Sequence, residues 1–201
     1  MKIYPTILAH NKTELEKQLS NLKWAKHVQL DIMDGHFVPT KTYSIEKTAK
    51  ALKGKYVQVH LMVRNPQFYL HRFQWADEII YHAETGQDLV ERIQEMGIKA
   101  GICFNPNTKV ADYEELIRRA DIAQIMTVYP GQMGAKYLKA PLQKITQIKK
   151  INPDIIVGVD GGVSRTTIND IVEAGADYAG AGSSIQKAED PKKAYQELSR
   201  T

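Results

Sequence analysis

His27-Val28-Gln29-Leu30-Asp31-Ile32-Met33-Asp34-Gly35 is an apolar run that ends in a carboxylate and a glycine. Far along the chain, Ile155-Ile156-Val157-Gly158-Val159-Asp160-Gly161-Gly162-Val163 repeats the design. A run of Val, Ile and Leu that stops at Asp-Gly reads as a buried strand delivering a carboxylate to its C-terminal end. In a barrel of parallel strands, that end is where chemistry is done. Two such carboxylates facing one small molecule suit the removal of a proton from one face of a carbon and its return to the other.

Outward from these two runs, short apolar stretches alternate with amphipathic ones. The pattern predicts strands near 3–9, 27–33, 56–62, 78–82, 99–104, 122–128, 155–160 and 178–182. It predicts helices near 12–24, 44–53, 66–74, 86–96, 111–119, 138–150, 165–174 and 191–199. Eight strands alternating with eight helices, with no linker, predict an α/β fold: a single-domain (β/α)8 TIM barrel over residues 1–201. A doubly wound sheet would usually need fewer strands. Gly54, Gly97 and Gly175 each follow a helical pattern, where a left-handed residue ends a helix.

Side chains two apart on a strand share a face. Gln29, Asp31 and Met33 therefore oppose Val28, Leu30 and Ile32; Gln58, His60 and Met62 oppose Val57, Val59 and Leu61; Gln124 and Met126 oppose Ile125. The aliphatic faces should pack on helices and the others should fill the barrel. A polar group buried without a partner costs roughly 1–3 kcal/mol, so these interior faces imply a hydrogen-bonded or metal-bound centre. A satisfied polar layer without chemistry is the plainer alternative.

Composition narrows the function classes. The chain has 201 residues, 43% of them hydrophobic, which is enough for one real core at the short end of the barrel range. A net charge of +4 comes from lysines spread along helices, such as Lys144, Lys149, Lys150, Lys192 and Lys193. Solvated helix faces explain these better than a nucleic-acid surface, and a slight positive field suits an anionic substrate. Cys103 is the single cysteine, with no thiolate metal motif or evident activating partner around it, and reads as a buried structural thiol. The start, Met1-Lys2-Ile3-Tyr4-Pro5, has no signal-peptide core, and no apolar run approaches membrane-spanning length. A cytoplasmic protein without membrane or nucleic-acid partners is expected; a homo-oligomer is compatible with the sequence.

The residues also carry a family resemblance. Leu30-Asp31-Ile32-Met33-Asp34-Gly35-His36-Phe37-Val38-Pro39, Val59-His60-Leu61-Met62-Val63-Arg64-Asn65-Pro66, His82-Ala83-Glu84, Asn105-Pro106-Asn107-Thr108, Met126-Thr127-Val128-Tyr129-Pro130-Gly131, Val159-Asp160-Gly161-Gly162-Val163 and Ala181-Gly182-Ser183-Ser184-Ile185 resemble ribulose-phosphate 3-epimerases over nearly the whole chain. The resemblance implies interconversion of D-ribulose 5-phosphate and D-xylulose 5-phosphate by inversion at C3. It also implies one divalent ion (zinc, iron, manganese or cobalt) at the top of the barrel. The implied ligand positions are Gln29, Asp31, His60 and Asp160, with Asp31 and Asp160 also the acid and base. Met33, Met62 and Met126 correspond to methionines around the reacting carbons.

The residue types suit that chemistry. A proton α to a ketone is weakly acidic, and a cation near the C2 and C3 oxygens stabilises the enediolate. Inversion needs a proton carrier on each face. Thioethers supply an adaptable wall that does not compete for protons; the same methionines also serve as core filler. Gly161-Gly162 and Gly182-Ser183 can present backbone N–H groups at the usual phosphate position of such barrels. The family adds a loop after the sixth strand, here Gly131-Gln132-Met133-Gly134.

Several positions depart from the family pattern. Gln29 replaces a ligand histidine, and an amide oxygen is a weaker ligand than imidazole. Thr6 keeps a hydroxyl for substrate, but Ala9-His10-Asn11 differs from the usual loop after the first strand. Thr40, Ser44 and Tyr129 replace Asn, Gly and Asn, and Gln132-Met133 is a bulky pair. The changes cluster around the substrate, so a different ketose phosphate, such as a hexulose phosphate, and a non-catalytic phosphosugar-binding protein stand as alternatives. His82 reads as a barrel-lining residue beside the site, His27 and His71 as surface residues, and His36 as a residue that follows the catalytic loop and helps to order it.

Overall fold

The computed structural model describes residues 1–43, 45–131 and 135–201, with 45–47 described by backbone alone. Eight parallel strands close in sequence order: β1 (Lys2–Ile7), β2 (His27–Met33), β3 (Tyr56–Met62), β4 (Glu78–His82), β5 (Lys99–Phe104), β6 (Ile122–Met126), β7 (Ile156–Asp160) and β8 (Tyr178–Ala181). β8 pairs with β1, Lys2 opposite Tyr178, so no edge is left open. The connections carry α1 (Lys12–Asn21), α2 (Ile45–Ala51), α3 (Val90–Glu95), α4 (Glu114–Arg119), α5 (Gln143–Ile151), α6 (Ile168–Glu173), α7 (Ser183–Gln186) and α8 (Pro191–Ser199). The fold is the (β/α)8 barrel expected from the alternation. No helix among the described residues is long and apolar enough to cross a membrane.

Strand parity organises the interior as predicted. Val28, Leu30, Ile32, Val57, Val59 and Leu61 belong to the large apolar layer between sheet and helices. Inside the barrel a smaller cluster of Tyr4, Ile80, Cys103, Ile122, Met126, Val128 and Tyr178 shares the space with buried Gln29, Gln58, His60, Glu78, His82 and Gln124. The lower polar groups pair off: Gln58 Nε2 and Tyr56 OH donate to the two oxygens of Glu78, each at 2.6 Å, and Tyr178 OH donates to Gln124 Oε1 at 2.7 Å.

Local chemistry sets the element ends. Asn11 caps α1: its Oδ1 accepts from Glu14 N at 3.0 Å, while Glu14 Oε2 accepts from N of His10, the residue before the cap, at 2.8 Å. β1 stops at Ile7 and not at 9, because the Gln18 side chain takes both backbone groups of Leu8, at 2.8 and 2.6 Å. At the opposite face of the barrel from the strand ends, three aspartates each hold both backbone groups of one residue on the preceding strand. Asp77 does this for Val57, Asp121 for Ala100 and Asp177 for Val157, with N–H to carboxylate distances of 2.7, 2.8 and 2.8 Å.

Two further expectations are corrected. The helix expected over 66–74 is two 3-10 turns, Pro66–Phe68 and Leu70–Arg72. The backbone bonds there run from i to i−3, Tyr69 N to Pro66 O at 2.9 Å and Phe73 N to Leu70 O at 3.0 Å, the tighter 3-10 pattern, which stays in short pieces. Lys144, expected on a solvated face, is buried. Its ammonium donates to Asn105 O at 2.6 Å, and desolvation lowers its pKa.

Candidate active site

β2 and β3 pair in register, so Asp31 stands directly opposite His60 and Met33 opposite Met62. On β7, Asp160 follows the short Gly158, which lies under the Tyr178 ring, and pairs with Gly180 on β8. The barrel therefore brings Asp31, His60 and Asp160 together at the C-terminal mouth, all three buried, with one ligand atom from each within 4.8 Å of the others. His60 Nδ1 lies 3.4 Å from Asp31 Oδ1 and 3.2 Å from Asp160 Oδ2.

Burial pushes the Asp31 carboxyl above its ordinary range; nearby Asp160 pushes the same way, and His60 and Gln29 pull it back. Burial also opposes a charge on His60. Cys103, Asp160 and Asp31 outweigh it, and the imidazole titrates well above its ordinary value.

Gln29 sits below them. Its amide nitrogen donates to Asp31 Oδ1 at 2.8 Å and to Asp160 Oδ2 at 3.0 Å. A donating nitrogen does not ligate, so metal ligation by Gln29 requires the amide to turn and present Oε1. That oxygen and His60 Nδ1 are both buried without a hydrogen-bond partner. Two orphaned atoms beside paired carboxylates are what a cation would satisfy. One imidazole nitrogen with carboxylate oxygens is a donor set suited to a first-row divalent ion. The residues present fit such an ion.

A cleft with about 530 Å³ of free space, part of it open to solvent, lies over Asp31 and Asp160, with His60 buried behind them. Met62 and Met126 wall it, together with Thr6 and Leu8. Met33 is set back, packed with Leu8, Val38 and Met62, and its sulfur accepts from Thr40 Oγ1 at 3.0 Å. Gly131, Gly161, Gly162, Gly182 and Ser183 line the other side. Gly161 and Gly162 have φ of 102° and 66°, open to glycine at no steric cost, and a Cβ on Gly161 would lie 2.4 Å from Val128 Cγ2. A Cβ on Gly182 would lie 2.6 Å from Thr6 Oγ1. Gln132, Met133, Gly134 and Ser44 lie outside the described residues. Thr40 also donates to Gly131 O at 3.1 Å, tying the loop after β2 to the loop after β6. Tyr129 is exposed, and its hydroxyl accepts from Asn107 Nδ2 at 2.9 Å.

Behind the site is a group that sequence reading resolved only in part. His82 and Cys103 are opposite one another in the β4–β5 register. Cys103 is buried, but it is not isolated as expected: its sulfur lies within 4.8 Å of a ring nitrogen of both His60 and His82. The imidazoles pull its pKa down against burial. Gly180, on the cleft floor, is a further site residue that the sequence did not single out; its place beside Asp160 comes from the β7–β8 register.

The chain was compared with known proteins. A family model described as the ribulose-phosphate 3 epimerase family matches residues 2–186. A ribulose-phosphate 3-epimerase of Bacillus subtilis (strain 168) is 34% identical, the match covering 98% of each chain. One of Helicobacter pylori (strain ATCC 700392 / 26695) is 32% identical over 98% of this chain and 96% of its own. Among solved structures, orotidine 5'-monophosphate decarboxylase from Sulfolobus solfataricus aligns with a TM-score of 0.69 at 17% identity, covering 99% of this chain and 97% of that one. The 3-hexulose-6-phosphate synthase of Salmonella typhimurium aligns with a TM-score of 0.68 at 17% identity, covering 100% and 97%. At such identities the structural likeness is one of fold.

Proposed function

The chain belongs to the ribulose-phosphate 3-epimerase family and is an isomerase-class enzyme, and from that premise we propose that it inverts C3 of D-ribulose 5-phosphate by two-base proton transfer assisted by a divalent ion. The observation that carries this reading is the convergence of Asp31 and Asp160, from strands on either side of β1 and β8, on one cleft within 4.8 Å of His60. A pure phosphosugar binder has no use for two proton carriers there.

His60 through Nδ1, Asp31, Asp160 and, after its amide turns, Gln29 through Oε1 would hold the ion. When bound, it would stabilise negative charge developing on the substrate oxygens at C2 and C3. The chain's own residues do the rest. Burial favours the proton on Asp31, leaving Asp160 to take the C3 proton; Asp31 then returns one to the opposite face, and the roles reverse in the other direction. Met62, Met126 and Leu8 keep water from the enediolate. Gly161, Gly162, Gly182 and Ser183 suit the phosphate, because backbone can approach it closely there. A coupled assay with D-ribulose 5-phosphate, with and without added divalent metal, tests the reading. Formation of xylulose 5-phosphate that chelation abolishes is expected. No turnover with any supplied metal would reject it.

A further inference from the structure

His60 has two ring nitrogens with two different neighbours. Nδ1 meets Asp31 and Asp160, while Nε2 lies 3.0 Å from His82 Nε2. Of these two facing Nε2 atoms, one must carry the hydrogen. On its far side, His82 Nδ1 lies 3.1 Å from Glu84 Oε2. An ionised carboxylate only accepts hydrogen bonds, so Nδ1 of a neutral His82 carries the hydrogen and its Nε2 is bare. A neutral His60 must then donate from Nε2, so that once its second proton has left, the lone pair is on Nδ1, aimed between the two aspartates.

Glu84 is itself fixed. Its Oε1 accepts from Asn105 N at 2.8 Å and from the Thr108 hydroxyl, so the carboxylate cannot swing away from His82. These contacts and His82 hold it ionised against the cost of partial burial. Both imidazoles are fully buried, stacked with centroids 5.1 Å apart, and the Phe37 ring covers His82 at 4.6 Å. As a thiol, Cys103 beside them can both donate and accept, weakly, and so fits either tautomer. We infer that Glu84 is a positioning residue: acting through His82, it sets the tautomer of His60 so that Nδ1 is free to ligate a cation at Asp31 and Asp160. This rests on the metal-assisted reading above. Partners that orient a ligating histidine commonly govern metal affinity by about 10–100-fold.

The isosteric variant Glu84→Gln tests this. Asn105 N–H and Thr108 O–H hold the amide oxygen, so the NH2 group turns to His82 Nδ1 and the chain of donors reverses. His82 should then carry its hydrogen on Nε2 and His60 on Nδ1, the atom needed for the ion. Long-range 15N–1H NMR correlations on metal-free protein, at a pH where both rings are neutral, report each tautomer directly. Wild type should show His82 Nδ1–H with His60 Nε2–H, and Glu84→Gln should show the opposite. Opposite tautomers in wild type overturn the inference, and that spectrum decides even if the variant does not fold. Unchanged tautomers in a folded variant also overturn it. Calorimetric titration with zinc should show the variant weakened by about 10–100-fold; equal zinc affinity despite reversed tautomers overturns the inference. If neither protein binds zinc while the tautomers reverse, the metal reading fails and the orientation of His60 by Glu84 stands.

Discussion

Gly180 and Gln29 stand close enough inside the barrel that a Cβ on Gly180 would lie 2.9 Å from Gln29 Oε1, and equally 2.9 Å from Asp160 Oδ1. Only the ends of two side chains would have to yield, not the backbone. Gly180→Ala should therefore fold with nearly unchanged Tm while displacing Asp160 and the Gln29 amide. A fall in kcat of about tenfold or more, worth about 1.4 kcal/mol in the barrier, is expected. Steady-state kinetics beside a melting curve checks it; unchanged kcat would show that the floor of the cleft does not position the base.

Asp31→Asn and Asp160→Asn should each lower epimerisation by several orders of magnitude, because an amide keeps the shape but carries no proton at neutral pH. Deuterium uptake from solvent at C3 separates the two roles. Each variant should still exchange only with the epimer whose C3–H faces its remaining carboxylate. Near-normal turnover in both would refute the two-base reading.

Gln29→His should tighten zinc binding, since imidazole is the better donor. In wild type, binding should expel the proton that the raised His60 holds. Affinity should therefore fall as pH falls. Calorimetry in two buffers of different ionisation enthalpy would give the proton count; no proton release would mean His60 is not displaced from its charged form. The same shift gives a sign for stability. A histidine raised in the folded state stabilises fully below roughly pH 6.5, its unfolded value, and that contribution is lost as pH rises through the folded value. Asp31, also raised, acts in the same direction from roughly pH 3.9 upward. Across the window above roughly pH 6.5 these two groups should lower the Tm of metal-free protein, and the Asp31→Asn variant should show a shallower decline.

Gly158→Ala should lower stability. The added Cβ would fall 2.0 Å from Cζ of Tyr178, a buried ring tethered to Gln124. Overpacking of this kind costs about 1–3 kcal/mol or more, a Tm loss of about 3–10 °C for a chain of this size. Thermal denaturation measures it, and a loss under about 1 °C would mean that the ring relocates freely.

How much of this could be read from sequence depended on whether neighbouring strands could be aligned without coordinates. The alternation in 27–33 and 56–62 placed Asp31 and His60 on interior faces, and the Asp-Gly endings placed both aspartates at the mouth. Cys103 looked isolated because the residues around it in sequence are apolar. Its histidines arrive from β3 and β4 through register, which one chain does not display. Lys144 looked solvated for the same reason: its partner is a carbonyl on the loop after β5. The amide of Gln29 could be placed at the site but not oriented, because which end faces the carboxylates depends on three strands at once. The 66–74 segment has the apolar spacing of a helix, and apolar spacing does not separate an α-helix from two successive 3-10 turns.

The three aspartates at the base of the barrel each close a short stretch of chain, with sequence separations of 20, 21 and 20 from Val57 to Asp77, Ala100 to Asp121 and Val157 to Asp177. Such closures cost little chain entropy, whereas joining β1 to β8 must bring together the far ends of the molecule. Assembly should therefore proceed as local pairings of β3 with β4, β5 with β6 and β7 with β8, with the ring sealed last. In pulse-labelled refolding, the amides of Val57, Ala100 and Val157 should gain protection before those of Ile3 and Tyr4. Since Asp160 and Asp31 lie on either side of the β8–β1 seam, activity should return only with that final step.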